Sequence, residues 1–472
     1  MPDAALAELT AADLSFLRDE HGGAHMHVGG VAVFAGRAPS IEELREHVRA
    51  RLHAIPRYRT RIVVPPVPLG RPCWAVDPSF NLEYHVRHVA LPVPGGEGEL
   101  LAAAARCFSQ RLDRTKPLWE LWLVEAVDAR SFAVITKSHH ALVDGIHAVD
   151  LMTALLDGER APEPERVVDS WLAPPLPSTA QLVASSIGGA GRRVLTAPLR
   201  AVLDGVRRPL EAAGRLRATS GAVAARLGMG PASAPPSPLN VPIGPHRRIA
   251  RATVDLADLK RAKDTFGGSV NDAVLAVVSG AVRHWMEGRG LRTAGVELRA
   301  AVPVAIERDG PDPRPIALTY APLPVGEPDP RSRLEQIRRA TSEALAGRRP
   351  VGASELVAAD GFSPPTVLAQ ASRLPLATNR FNLLVTNIPG PQQAMHLLGR
   401  RMERMVPVPF LSPGRSLAIA VTSYAGTAEF GLLGDLDKVD DLDVLAEGVQ
   451  VAVRELIAVA DDGGAPASRR RR

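Results

Sequence analysis

Two adjacent histidines followed by an aspartate and a glycine, in the run Ser138-His139-His140-Ala141-Leu142-Val143-Asp144-Gly145, are the grouping in this chain best suited to chemistry. An imidazole near its ordinary pKa of about 6.5 takes a proton from a hydroxyl at neutral pH. Neighbouring residues of an extended chain point to opposite faces, so His139 and His140 do not share one ligand; one faces a site and the other a core. Asp144 can hold the loop by pairing with an arginine or by accepting backbone N–H groups, and Gly145 lets the backbone approach a substrate closely. His147 and Asp150 raise a metal reading, but on a helix they sit at i, i+3 with no third cluster to join them. His25 and His27, on either side of Met26, read as structural. No G-x-S-x-G occurs, which argues against a serine hydrolase elbow, and neither a P-loop nor a G-x-G-x-x-G is present.

The elements that must carry these residues are short. LWELWLVEAV (118–127) and SFAVITKSHH (131–140) read as successive strands, and GIHAVDLMTALLDG (145–158) as a helix stopped by Gly158. The histidines therefore lie at the end of an apolar strand and ahead of a helix, where α/β folds commonly present reactive groups. Upstream, HVGGVAVF (27–34) is a strand, and IEELREHVRARL (41–52) and LLAAAARCFSQRL (100–112) are helices. Downstream, RIARATVDL (248–256), VELRAAVPVAI, FNLLVTNIPGP and LAIAVTSYAG are strand candidates. NDAVLAVVSGAVRHWMEG (271–288) is a helix apolar on nearly every side, which must be buried, and DLDVLAEGVQVAVRELIAVA (441–460) is a closing amphipathic helix.

Between these groups, residues 159–238 turn to Pro, Ala, Gly and Arg, a crossover linker with one or two basic helices. The expected architecture is α/β in two halves: 1–160 with the histidine loop, the linker 161–238, a second half 239–461 and a basic tail 462–472. The net charge of +5 is local: eight arginines lie between 192 and 226 against Asp204 and Glu211, and Arg469–Arg472 add four more. The rest of the chain is net acidic, with 4% aromatics, which speaks against a nucleic-acid binder. The basic segments read first as a solvated linker and tail, and alternatively as contacts with an anionic lipid surface. Cys73 and Cys107 make neither a disulfide framework nor a zinc site. The start of the chain has acids where a signal peptide carries positive charge, and no apolar run is long enough to span a bilayer. The expected compartment is the cytoplasm, with peripheral contact at the inner membrane face or lipid droplets as the alternative.

HHALVDG matches the HHxxxDG signature of CoA- and carrier-dependent acyltransferases and condensation domains, and the surroundings resemble the bacterial wax ester synthase/diacylglycerol acyltransferases. The matching pieces are LTAADLSFL, MHVGG (26–30), IPRYRTRI (55–62), PLWE (117–120), LNVPIGPHRR (239–248), SVNDAVLA (269–276), VTNIPGP (385–391) and SYAG (423–426). The resemblance implies a pseudo-dimer of chloramphenicol-acetyltransferase-like domains with the histidine loop midway along a channel. It implies His140 as general base, deprotonating the hydroxyl of diacylglycerol or a fatty alcohol for direct attack on acyl-CoA, with no acyl-enzyme and no cofactor beyond that co-substrate. His139 would be structural, Asp144 would fix the loop, and Gly145 would turn a backbone N–H to the oxyanion. Pro117, Leu118 and Trp119 would shape the acyl channel, or else pack as a strand with a buried indole. Asn271 and Asp272 would cap their helix or hold the halves together, and Asn387 begins a turn or binds substrate. Arg314-Pro315-Ile316-Ala317 stands where relatives carry a Gly-Asn pair, a departure that bears on substrate preference. The other readings are a same-fold acyltransferase with a sugar, amine or carrier-bound acceptor, and a non-catalytic lipid-surface protein.

Overall fold

The computed structural model describes residues 7–66, 72–128, 130–142, 151–158, 233–305, 316–345 and 380–463, with positions 175, 176, 178 and 181. Val143 to Asp150, and with it Asp144, Gly145, His147 and Asp150, lies outside the described residues. So do Arg314 and Pro315, the arginines at 192–226 and the tail arginines 469–472.

The first half runs β1 (Ala7–Glu8), α1 (Ala11–Asp19), β2 (His27–Ala35), α2 (Ile41–Arg51), β3 (Thr60–Val63), β4 (Cys73–Val76), α3 (Leu82–His85), β5 (Val86–Ala90), α4 (Glu97–Ser109), β6 (Trp119–Asp128), β7 (Ser131–His139) and α5 (Leu151–Leu155). The second runs β8 (Arg247–Asp255), α6 (Leu256–Phe266), α7 (Val270–Gly288), β9 (Leu298–Ala305), β10 (Ile316–Leu323), α8 (Pro330–Ala344), β11 (Leu383–Ile388), β12 (His396–Leu397), β13 (Arg400–Val408), β14 (Leu417–Tyr424), β15 (Thr427–Asp435) and α9 (Leu442–Gly463). Local chemistry starts the helices. Thr10 with Asp13, Ser40 with Glu43 and Ser269 with Asp272 form reciprocal capping boxes at α1, α2 and α7, each answering two backbone donors that the first turn leaves open.

Among the described residues there are two six-stranded sheets. One has the order β12-β13-β2-β7-β6-β5 and the other β10-β9-β11-β14-β15-β8. A small third sheet, β1-β4-β3, flanks the first. Residues 396–408 belong by sequence to the second half, yet β13 pairs antiparallel with β2, from Met402 opposite Phe34 to Val408 opposite Gly29, and completes the first sheet. β13 also runs backbone to backbone over β15: a Cβ placed on Gly431 would stand 1.7 Å from the Pro407 carbonyl oxygen, so this crossing requires glycine.

Three cores follow. α6, α7, α8 and α9 cover one face of the second sheet, and α7 is buried along almost its whole length, as its apolar sequence requires. Another core underlies the first sheet with α2, α5 and Met402 and Met405 of β13. The third lies between the halves and joins Phe16, Met26 and Phe108 to Phe381, Ile388, Phe410 and Ala420. β7 is covered on both faces, Ala133 and Ile135 in this shared core and Phe132 and Val134 in the other, so its sequence is a continuous apolar run rather than an alternating one. Among the described residues no single helix is long and apolar enough to cross a membrane; α6 and α7 together are, but they bend by 105° at their junction.

Candidate active site

β7 ends where its apolar run meets the two histidines. The His139 N–H donates to the Leu118 carbonyl (2.9 Å) and the His140 N–H to the Met26 carbonyl (2.7 Å), and the Leu142 N–H turns back to the His139 carbonyl (2.9 Å). The chain thus leaves β7 clamped between β6 and the segment entering β2. Both imidazoles are 1% exposed. The two rings, expected to face a site and a core, lie in different surroundings. His140 is stacked on Phe16 of α1 (ring centroids 4.1 Å, 20°) and meets Phe410 edge-on (5.3 Å, 89°), so residues from both halves cover it.

His139 faces a different neighbourhood, one that sequence reasoning missed. It lies opposite His27 in the β2–β7 register, ring centroids 6.0 Å apart. Its Nδ1 accepts the Ala141 N–H at 3.0 Å, which requires that nitrogen to be unprotonated and places the proton of the neutral ring on Nε2. Nε2 looks toward Glu20 Oε2 at 3.8 Å. Glu20 is itself buried, 3.4 Å from His27 Nε2 through its other oxygen, and held by Arg114, whose Nε donates at 3.0 Å and whose Nη2 donates to the same oxygen and to the Leu17 carbonyl. Burial pushes the His139 pKa down to about 3 against the pull of the Glu20 charge, so the ring is neutral at pH 7. His27 is driven well below its ordinary value by the same burial, with Lys137 adding to it. α1 therefore reads both histidines: Phe16 covers one and Glu20 faces the other. A signal for this was present, since Asp19 and Glu20 put two carboxylates at a helix C-terminus, against the helix dipole.

A carboxylate facing Nε2 selects the tautomer that the Ala141 bond needs. Glu20→Gln replaces it with an amide able to donate to Nε2, which drives the proton to Nδ1 and into conflict with the Ala141 N–H. The expected outcome is a change of the His139 tautomer in the ¹⁵N spectrum of histidine-labelled protein, while Glu20→Asp retains the original form. An unaltered His139 signal in the glutamine variant would remove Glu20 from this role.

Lys137, two residues before His139 on the same face, is fully buried and donates to the Cys107 (2.8 Å) and Gln110 (2.6 Å) carbonyls at the end of α4, with Glu120 at 3.6 Å. A cation on the last carbonyls of a helix complements its dipole and ties α4 to the histidine strand.

The remaining expected residues are placed as follows. Pro117, Leu118 and Trp119 are all buried, Leu118 and Trp119 within the first half's core. Trp119 stacks on His85 (4.5 Å) and donates from Nε1 to the Tyr58 carbonyl at 2.7 Å; the Tyr58 hydroxyl in turn accepts the Leu151 N–H at the start of α5 (3.2 Å). These bonds tie Trp119 through Tyr58 to the start of α5. Asp272 is the capping residue of α7 and also accepts the Thr341 hydroxyl of α8 (2.7 Å), so it joins two helices of the second half rather than the two halves. Asn271 sits beside it in the first turn. Asn387 is the penultimate residue of β11 and lines a cavity shared with Val270, on the far side of the second sheet from the shared core. Among the described residues no three His, Cys, Asp or Glu side chains are grouped as a metal ion requires. The Cys107 thiol is pushed up to about 11 by burial, which makes it a poor nucleophile.

This arrangement puts the His140 imidazole at the seam of two α/β halves, in apolar surroundings, which suits base assistance to a hydroxyl that both halves help to place. The wax ester synthase/diacylglycerol acyltransferase catalytic domain family model matches residues 9–274, and the model of the corresponding C-terminal domain matches residues 315–457. A Mycobacterium tuberculosis protein named as a diacylglycerol O-acyltransferase is 33% identical over 460 residues, covering 96% of this chain and 96% of that one. Among solved structures, the wax ester synthase/diacylglycerol acyltransferase from Marinobacter aquaeolei VT8 superposes with a TM-score of 0.65 at 26% identity, over 96% of this chain and 100% of that one. The first condensation domain of the calcium-dependent antibiotic synthetase shares the fold, with a TM-score of 0.57 at 17% identity over 98% of each chain.

Proposed function

Because the chain belongs to the wax ester synthase/diacylglycerol acyltransferase family and is an acyltransferase of that type, we propose that it moves a long acyl group from acyl-CoA to the hydroxyl of diacylglycerol or of a fatty alcohol, with His140 as general base. The observation that carries this reading is the place of His140, at the end of β7 and gripped by Phe16 of one half and Phe410 of the other. In the step proposed, the imidazole takes the proton of the acceptor hydroxyl while its oxygen attacks the thioester carbonyl carbon. The tetrahedral adduct collapses with cleavage of the C–S bond, and the imidazolium returns the proton to the departing thiolate. The ester and free CoA leave, and the enzyme is unchanged. Holding the two substrates against one base supplies most of the acceleration, since a thiolate departs readily. Direct attack needs no covalent intermediate, in keeping with the high pKa of the buried Cys107 thiol.

The test is to supply labelled hexadecanoyl-CoA with diacylglycerol, hexadecanol and a sugar in parallel and to separate the products by thin-layer chromatography. Label in triacylglycerol or wax ester is expected, and quenching without acceptor should leave none on the protein. Label only in the sugar ester would move the chain to another acceptor class, and label in no ester would make it a binding protein.

A further inference from the structure

A cavity of about 740 Å³ opens in the second half, between α6, the start of α7 and the C-terminal ends of the parallel strands β11 and β14. Leu256, Val270, Val274, Val421 and Ala428 give it apolar walls. Its polar groups are few and partly engaged: the Ser423 hydroxyl accepts the Gly390 N–H at 3.0 Å and the Gln392 side-chain amide at 3.3 Å. Lys260, exposed on α6, stands at its rim.

The register of β11 and β14 relates this cavity to His140. Asn387 and Val421 are direct partners and line the cavity. Their neighbours Ile388 and Ala420 point the other way, into the shared core that holds Phe16 and Phe410, the two rings around His140. The sheet is thus a wall with the cavity on one side and the base on the other. That wall stops at Pro389 and Gly390, where β11 ends and the chain leaves for β12.

We propose that this cavity holds the alkyl chain of the acyl-CoA donor, with the thioester turned around the end of β11 toward His140. The inference rests on the acyl-transfer reading above and names the place of one substrate in it. The volume falls in the upper part of the roughly 300–1,000 Å³ of ligand cavities, and the walls are of the kind that retain an alkyl chain, about fourfold in affinity for each methylene buried. The choice of donor over acceptor comes from charge: CoA brings phosphates past the rim where Lys260 stands, whereas diacylglycerol and fatty alcohols are neutral.

Ala428→Phe and Val270→Phe each fill the cavity with a ring, the first from a buried strand position and the second from the half-buried first turn of α7, where extra bulk is more easily folded. For each variant, kcat/KM is measured with hexadecanoyl-CoA and butanoyl-CoA against a fixed acceptor, and Kd for hexadecanoyl-CoA and for CoA is measured by calorimetry. In at least one folded variant the hexadecanoyl to butanoyl ratio of kcat/KM is expected to fall about 10²-fold, the loss of some four methylenes from the cavity. The affinity advantage of hexadecanoyl-CoA over CoA should shrink in step. An unchanged ratio in both folded variants overturns the proposal, and so does a shift in acceptor chain length with the donor ratio intact. Wild-type protein that transferred nothing, yet bound hexadecanoyl-CoA more tightly than CoA with the difference lost in the variants, would retain the cavity assignment and sink the reaction instead.

Discussion

His140→Phe is expected to cut acyl transfer by about 10²- to 10⁴-fold, the contribution of a positioned base, with a smaller fall in melting temperature than His140→Ala gives. Phenylalanine keeps a flat ring against Phe16 and Phe410 and removes both ring nitrogens, the one that takes the proton among them. His140→Ala should lose as much activity and also destabilise, since a buried ring is deleted from a packed sandwich and leaves a cavity. His139→Ala should behave differently. It strips the acceptor from the Ala141 N–H and leaves Glu20 facing a void, so soluble yield falls first. Steady-state kinetics and thermal melts on the three proteins separate these effects. A folded His140→Phe enzyme that kept turnover within about threefold of wild type would show that proton transfer is not carried by this residue.

Acid should unfold this protein well above the pH at which carboxylates are protonated. His139 is pushed down to about 3, His25 and His85 to about 4, and His27 well below its ordinary value, in every case chiefly because burial disfavours the charged ring. In the unfolded chain each titrates near 6.5, so below that pH the unfolded state binds protons that the folded state refuses. Stability is therefore greatest above about 6.5 and declines as pH falls toward about 4, with a limiting slope of about 1.4 kcal/mol per pH unit for each histidine involved. The carboxylates of Asp113 and Asp128, lowered by their hydrogen bonds, act only below that window, and Glu429, raised by burial, opposes the trend weakly. Urea unfolding between pH 7.5 and 4.5 checks this. A midpoint that stayed flat down to pH 5 would mean that these rings are open to water in solution.

Much of the frame was legible because its elements are written locally. The apolar run from Phe132 to Ile135 reads as a strand, and the nearly all-apolar α7 as a buried helix. The histidines stood out for the same reason, two polar residues at the end of such a run. What stayed hidden depends on partners distant in sequence. β13 contains Arg400, Arg401 and Arg404 and carries nothing to say that it pairs with β2. The burial of His140 depends on Phe410, and the role of Glu20 depends on a turn made by Ala141, neither of which a local pattern reveals. The roles expected of Trp119 and Asp272 were open between packing or capping and substrate; their side-chain bonds go to Tyr58, Ser269 and Thr341.

The lending of β13 also sets an order of events during synthesis. β2 leaves the ribosome early, but the strand that covers its open edge is not made until the chain has passed Val408. At about 5–20 residues per second the nascent first half waits tens of seconds with that edge exposed, a template for pairing with any other chain. So distant a contact also makes the final closure slow. A message truncated before residue 396 would yield a half with its sheet unfinished, and rapid production would favour clumping of half-made chains over maturation.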